Sequence, residues 1–213
     1  MAQQISLKEA ERRAFRATYN DGLWDILLGC VFLMFAIGPF LSPNLGDFWS
    51  SVVFLPFWGL VFLGIWLVRK YVVRPRVGAV KLGPARKARL MRFRVVMLSV
   101  NVIALLLGAV AAMRFGRIPG RMTTIIFGLI LLIGFSIAAY FLNFSRLYLY
   151  GLLAGLSPPM GEWLYVSGFA SHHGFPITFG TTAGIMILAG LTIFVRLVRK
   201  NPLPIEGIPS EEA

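Results

Sequence analysis

Residues 69–94 read RKYVVRPRVGAVKLGPARKARLMRFR, which holds ten of the chain's 21 Lys and Arg residues and no Asp or Glu. On either side the charge stops. Residues 49–68 form an uncharged stretch of 20 and residues 95–113 another of 19. At 1.5 Å of rise per helical residue, each is about long enough to cross a ~30 Å hydrocarbon layer. The basic stretch therefore reads as a loop joining two membrane spans. Short cytoplasmic loops keep Lys and Arg whereas translocated ones lack them, so this loop is expected inside, and it orients every other segment.

Composition agrees with that reading. Hydrophobic residues make up 57% and charged residues 14%, with a mean hydropathy of +0.75. Soluble domains run nearer 45–50% apolar and 25% charged, which excludes a soluble fold. At about 20 residues per span, 213 residues hold five or six helices with short loops and no separate globular domain. The net charge of +12 would suggest nucleic acid in a soluble chain. Here the basic residues flank apolar spans, no zinc-ligand spacing or RNA-binding motif accompanies them, and no nucleic-acid partner is expected. Cys30, the single cysteine, can form no intrachain disulfide and reads as a small apolar side chain. The first 20 residues are polar and no small-residue cleavage site follows the first apolar run, so the N-terminus reads as a retained anchor.

Residues 1–20 form a cytoplasmic arm. Ser6 and Glu9 have capping-box spacing, and a short interfacial helix carrying Arg12, Arg13 and Arg16 is expected after them. Span 1 covers about residues 23–41, opened by Asn20-Asp21-Gly22 and stopped by Pro39 and a Ser42-Pro43-Asn44 turn. Asp21 and Asp25 sit one turn apart, where carboxylates suit the positive end of a helix dipole. Asp25 follows Trp24 into the apolar run, where an ionised group needs an Arg or Lys partner or water. It is the candidate buried charge, expected to bond an Arg from another span. Span 2 returns through Trp49, Trp58 and Trp66. In the basic loop, Pro75 and Gly78 predict an extended or turned segment over 74–81, and residues 85–94 an amphipathic helix entering span 3. Arg74, Arg76, Lys81, Arg86, Lys87, Arg89 and Arg92 are the expected contacts to anionic headgroups or a partner.

The basic arm, the span entry Asp21-Gly22-Leu23-x-x-Ile26 and the loop Pro75-Arg76-x-Gly78-x-Val80-Lys81 together resemble a group of uncharacterised prokaryotic multi-pass membrane proteins. The resemblance covers about residues 12–82. It implies a membrane-embedded helical fold and no particular activity.

Span 3, about residues 95–113, carries Ser99 and Asn101; span 4, about residues 122–144, carries Thr123, Thr124, Ser136 and Asn143, the polar groups usual at interhelical contacts. Residues 147–170 are harder to read. Only 15 uncharged residues precede Glu162, and Pro158-Pro159 is expected to interrupt any helix, giving a broken span or a re-entrant excursion. If this region crosses, Lys and Arg divide 18 inside to 3 outside; if it does not, 15 to 6. The first division favours six spans over five, with both termini cytoplasmic. The last span covers about residues 175–195. Gly151/Gly155 and Gly180/Gly184 are small-residue faces that suit packing within the chain or a homo-oligomer. The transmembrane domain ends near residue 200, and 201–213 reads as a disordered tail.

The fold expected is thus an all-α, polytopic transmembrane bundle in the cell membrane. The common catalytic signatures are missing, and no cofactor is implied. Glu162, His172 and His173 are the sole constellation with metal-ligand chemistry, and adjacent histidines share a metal only in an irregular loop. An interaction or structural membrane component needs nothing the sequence lacks. A small transporter or channel subunit would need polar groups at mid-membrane, and an intramembrane enzyme would need Glu162, His172 and His173 to converge.

Overall fold

The computed structural model describes residues 21–77, 91–99 and 120–202, all of them helix or short connection. Helix α1 runs Leu23–Val68 and is broken at Gly46, where φ is 74° and ψ 162°. Only glycine holds that geometry without strain, so the chain reverses there. The helix passes through Pro39 and Pro43 before it turns, later than the stop expected at Pro39. A proline removes one hydrogen bond and kinks a helix, whereas reversal needs a residue that can leave helical φ/ψ altogether. Beyond α1 come a π-helical turn, Arg69–Val73, and a further α-helical turn, Arg74–Val77. The expected extended segment around Pro75 is therefore helical up to Val77. The helix is continuous there, so Pro75 removes one hydrogen bond from it, directly after the widened turn. Helix α2 covers residues 91–99. Helices α3 (Gly120–Leu142), α4 (Arg146–Val166) and α5 (Phe175–Lys200) follow, with a single 3-10 turn, His172–Gly174, before the last.

Four stretches among the described residues are long and apolar enough to cross a membrane: Leu23–Leu41, Val52–Arg76, Gly120–Leu142 and His172–Lys200. Of the expected span 3, about residues 95–113, residues 95–99 are helical and the rest lie outside the described residues. Helix α4 is less apolar, yet it lies antiparallel to α3 from end to end. Gly151 faces Phe135, Gly155 faces Gly128, and the Glu162 carboxylate lies beside Gly120. The first limb of α1 pairs with α5 in the same antiparallel sense, Gly22 against Gly190, Gly29 against Ala183 and Phe40 against His172.

Pro158-Pro159 does not interrupt α4, which continues through both. Pro159 leaves the Gly155 carbonyl without an intrahelical N–H partner, and that carbonyl points at Gly128, so near that a Cβ there would run into it. A glycine at 128 thus lets α3 close over that carbonyl. Gly128→Ala should cost about 1–3 kcal/mol, read as a lower melting temperature in detergent, because its new methyl meets backbone that cannot rotate away.

The core lies among α1, α3, α4 and α5: Phe32, Ala36, Ala139, Leu147, Tyr150, Ala154, Phe179, Ala183 and Met186. Phe32 stacks on Phe179 at 5.8 Å, and Phe35 reaches Phe179 at 5.4 Å. The helices meet through this interdigitation and through the close glycine contacts. By contrast, every described side chain from residue 52 to 68 is exposed or half-buried.

Candidate functional site

One end of the bundle gathers charge. The Asp21 carboxylate accepts the Leu23 N–H at 3.0 Å, fixing the start of α1, and its other oxygen accepts from Arg69 Nη2 at 2.8 Å. Residue 69 is 48 positions away, so this bond closes the α1 hairpin opposite the Gly46 reversal. The same guanidinium lies over the Trp24 ring, 5.7 Å from its centroid, within cation–π range.

One turn further in, Asp25 has no exposed surface. Its Oδ1 accepts the Tyr150 hydroxyl at 2.6 Å, and its Oδ2 lies 3.4 Å from Arg146 Nη2, an ion pair without hydrogen-bond geometry. Arg146 and Tyr150 are four residues apart on α4 and so share a face. The Arg146 guanidinium also sits 4.8 Å from the Phe144 ring centroid. A carboxylate that far from water costs several kcal/mol unless paired, and here α4 supplies the cation and the hydroxyl together. Arg69, the other nearby arginine, goes to Asp21 instead.

More basic residues end at this surface. Gly22 packs on Gly190 and Phe194, which brings the exposed Arg196, Arg199 and Lys200 of α5 to the same end. Phe93 meets Phe141 at 6.1 Å, placing exposed Arg92 and Arg94 there too. Arg74 is exposed, and Arg76 is half-buried with its Nη1 donating to the Val72 carbonyl at 2.8 Å. Lys81, Arg86, Lys87 and Arg89 lie outside the described residues, as do the N-terminal arm and the tail beyond Pro202. Among the described residues the acids at this end are Asp21 and Asp25, both buried.

The opposite end holds Glu162, whose Oε2 pairs with His173 Nδ1 at 2.8 Å and whose Oε1 faces Gly120, the first residue of α3. His172 turns away, edge-on to Phe40. Both histidines adopt the left-handed region, with φ 51° and 54°. The structure brings two of the three expected residues together, and no group of three or more His, Cys, Asp or Glu side chains suited to a metal forms among the described residues. Between the two ends, Ser157 and Thr182 share a buried hydrogen bond at 2.9 Å. Gly180 meets Ala36, whereas Gly184 faces open space.

Sequence reasoning missed Tyr150 and the Asp21–Arg69 bond. The spacing of Arg146 and Tyr150 was a usable signal; the pairing of Asp21 with Arg69 had no local one. No family model, curated protein or solved structure matches this chain.

Proposed function

We propose that this protein is a six-span integral component of the cell membrane, both termini cytoplasmic, with an interaction or structural role in which its basic end rests on anionic headgroups or a partner. The observation that carries this reading is the collection of Arg69, Lys70, Arg74, Arg92, Arg94, Arg146, Arg196, Arg199 and Lys200 at one end of the bundle, with Arg121 alone among described Lys and Arg at the other. Such asymmetry is what the positive-inside rule leaves on a cytoplasmic face. The side-by-side packing of α4 with α3 supports counting α4 as a span. Phe93 lies at the basic end and Gly120 at the far end, which supports a further crossing between them and brings the total to six.

A transporter would need polar groups in contact across the bundle. The Asp25–Tyr150 pair and the Ser157–Thr182 pair are instead separated along α4 and α5 by Ala154, Ala183 and Met186, none with exposed surface. That packing favours a structural role for the charges.

Reporter fusions at Ala79, Ser171 and Ala213 should read inside, outside and inside; an external C-terminus would remove one span and overturn the topology. Changing Arg86, Lys87, Arg89 and Arg92 to Gln in a peptide of residues 69–94 should weaken binding to anionic vesicles by roughly two orders of magnitude or more, at about 1 kcal/mol per basic residue. Equal binding of the unaltered peptide to neutral vesicles would remove the headgroup role.

A further inference from the structure

The π-helical turn Arg69–Val73 is closed by the Arg74 N–H bonding to the Arg69 carbonyl, five residues back. Turns of this width are rare and are frequent at functional sites. In an α-helix, residues 69 and 74 would stand about 140° apart around the axis. Closing the turn at five residues instead sets Arg74 over Arg69. Arg74 is also one turn on from Lys70, so it stands above the gap between the two.

Each of the three is placed by something specific. Arg69 is held by Asp21 at 2.8 Å and lies over Trp24. Lys70 Nζ stands 4.8 Å from the Trp66 ring centroid and 5.1 Å from that of Tyr71. Arg74 is exposed. Arg76, the next cation along, folds back onto the Val72 carbonyl. By helical position the three cations stand within about 100° of one another round the axis, with Asp21 the one acid bonded to any of them among the described residues, and like charges at such spacing repel. An anion among them relieves that repulsion, and guanidinium groups suit the oxygens of a phosphate. The turn lies near the end of the apolar stretch Val52–Arg76, beside Trp66 and Tyr71, at the depth where aromatic residues meet headgroups.

We infer that the π-turn builds a discrete phosphate site from Arg69, Lys70 and Arg74, and that its occupant is the phosphodiester of an anionic phospholipid. This rests on the basic end lying at a leaflet surface, and it adds that the contact is one built site rather than diffuse attraction.

The test uses the full chain, delipidated in neutral detergent, with bound lipid counted by native mass spectrometry. The probes are dioleoyl phosphatidylglycerol, dioleoyl phosphatidylcholine and inorganic phosphate. One phosphatidylglycerol should bind at least tenfold more tightly than phosphatidylcholine, and equimolar phosphate should not displace it. Lys70→Gln with Arg74→Gln should weaken it at least tenfold. Inserting one Ala after Val72, which keeps every charge and carries Arg74 about a further 100° round the axis, should do the same. Arg199→Gln with Lys200→Gln, an equal loss of charge on α5, should change it less than twofold. If that control weakened binding as much, or if the Ala insertion left binding intact, the discrete site would be wrong while the basic-end reading stood. Displacement by equimolar phosphate would replace the lipid with a free anion as the occupant. Equal binding of the two lipids would sink both this site and the headgroup reading.

Discussion

Asp25→Ala should destabilise the detergent-solubilised protein by about 2–4 kcal/mol, the largest loss expected from any single side chain at the basic end. The substitution leaves Arg146 without its carboxylate and the Tyr150 hydroxyl without its acceptor. Removing one partner of a fully buried pair costs about 3–5 kcal/mol. The Arg146 side chain keeps 26% of its surface exposed, so water takes back part of that cost. At about 2–4 °C per kcal/mol for a chain of this size, the melting temperature should fall by roughly 5–15 °C. Adding Arg146→Met should restore part of the loss, because it removes the stranded charge and replaces it with an apolar side chain of similar length. Tyr150→Phe alone should cost less, about 1–2 kcal/mol, since Asp25 keeps its cation. If Asp25→Ala melted like the unaltered protein yet lost a proton- or cation-dependent flux in liposomes, the structural role would fail and the transporter reading would replace it.

Gly22→Ala should produce the next largest effect, about 2–4 kcal/mol, through backbone rather than charge. Gly22 has φ 77°, where a side chain costs roughly 1–2 kcal/mol. Its Cβ would also meet the Gly190 carbonyl oxygen and the Phe194 nitrogen, and such overpacking adds about 1–3 kcal/mol. Because the contact is backbone against backbone, α1 and α5 must separate to make room. That separation also moves Asp21 and Asp25, the residues just before and after this point, away from their arginines. Gly184→Ala is the matched comparison on the same helix pair. It faces open space within α5, so it should be neutral or stabilise by up to about 1 kcal/mol. Equal melting temperatures for the two variants would show that α1 and α5 do not approach at Gly22 as described.

The helical class and the apolar stretches were legible in the sequence because they are one-dimensional properties. A run of some 20 uncharged residues needs no knowledge of its neighbours to be read as a helix for a hydrocarbon layer. Asp25 stood out for the same reason, a charge among Leu, Trp and Ile. Its environment did not. Arg69, Arg94, Arg146 and Arg196 were all in reach by topology, and only the register between α1 and α4 places Arg146 with Tyr150 at Asp25 and leaves Arg69 for Asp21. The two prolines of α4 were misjudged because their cost was counted within one helix, whereas the freed Gly155 carbonyl is met by Gly128 of α3. The π-turn was invisible too, since nothing in RKYVV distinguishes a five-residue turn from an α-helical one. What the sequence by itself determined is which segments are apolar and long enough to cross a membrane and where along the chain the cations cluster, since both can be read residue by residue. The tertiary structure decided which cation meets which carboxylate, where a helix tolerates proline and which basic side chains share a face, because those depend on register between helices and on the phase of a turn.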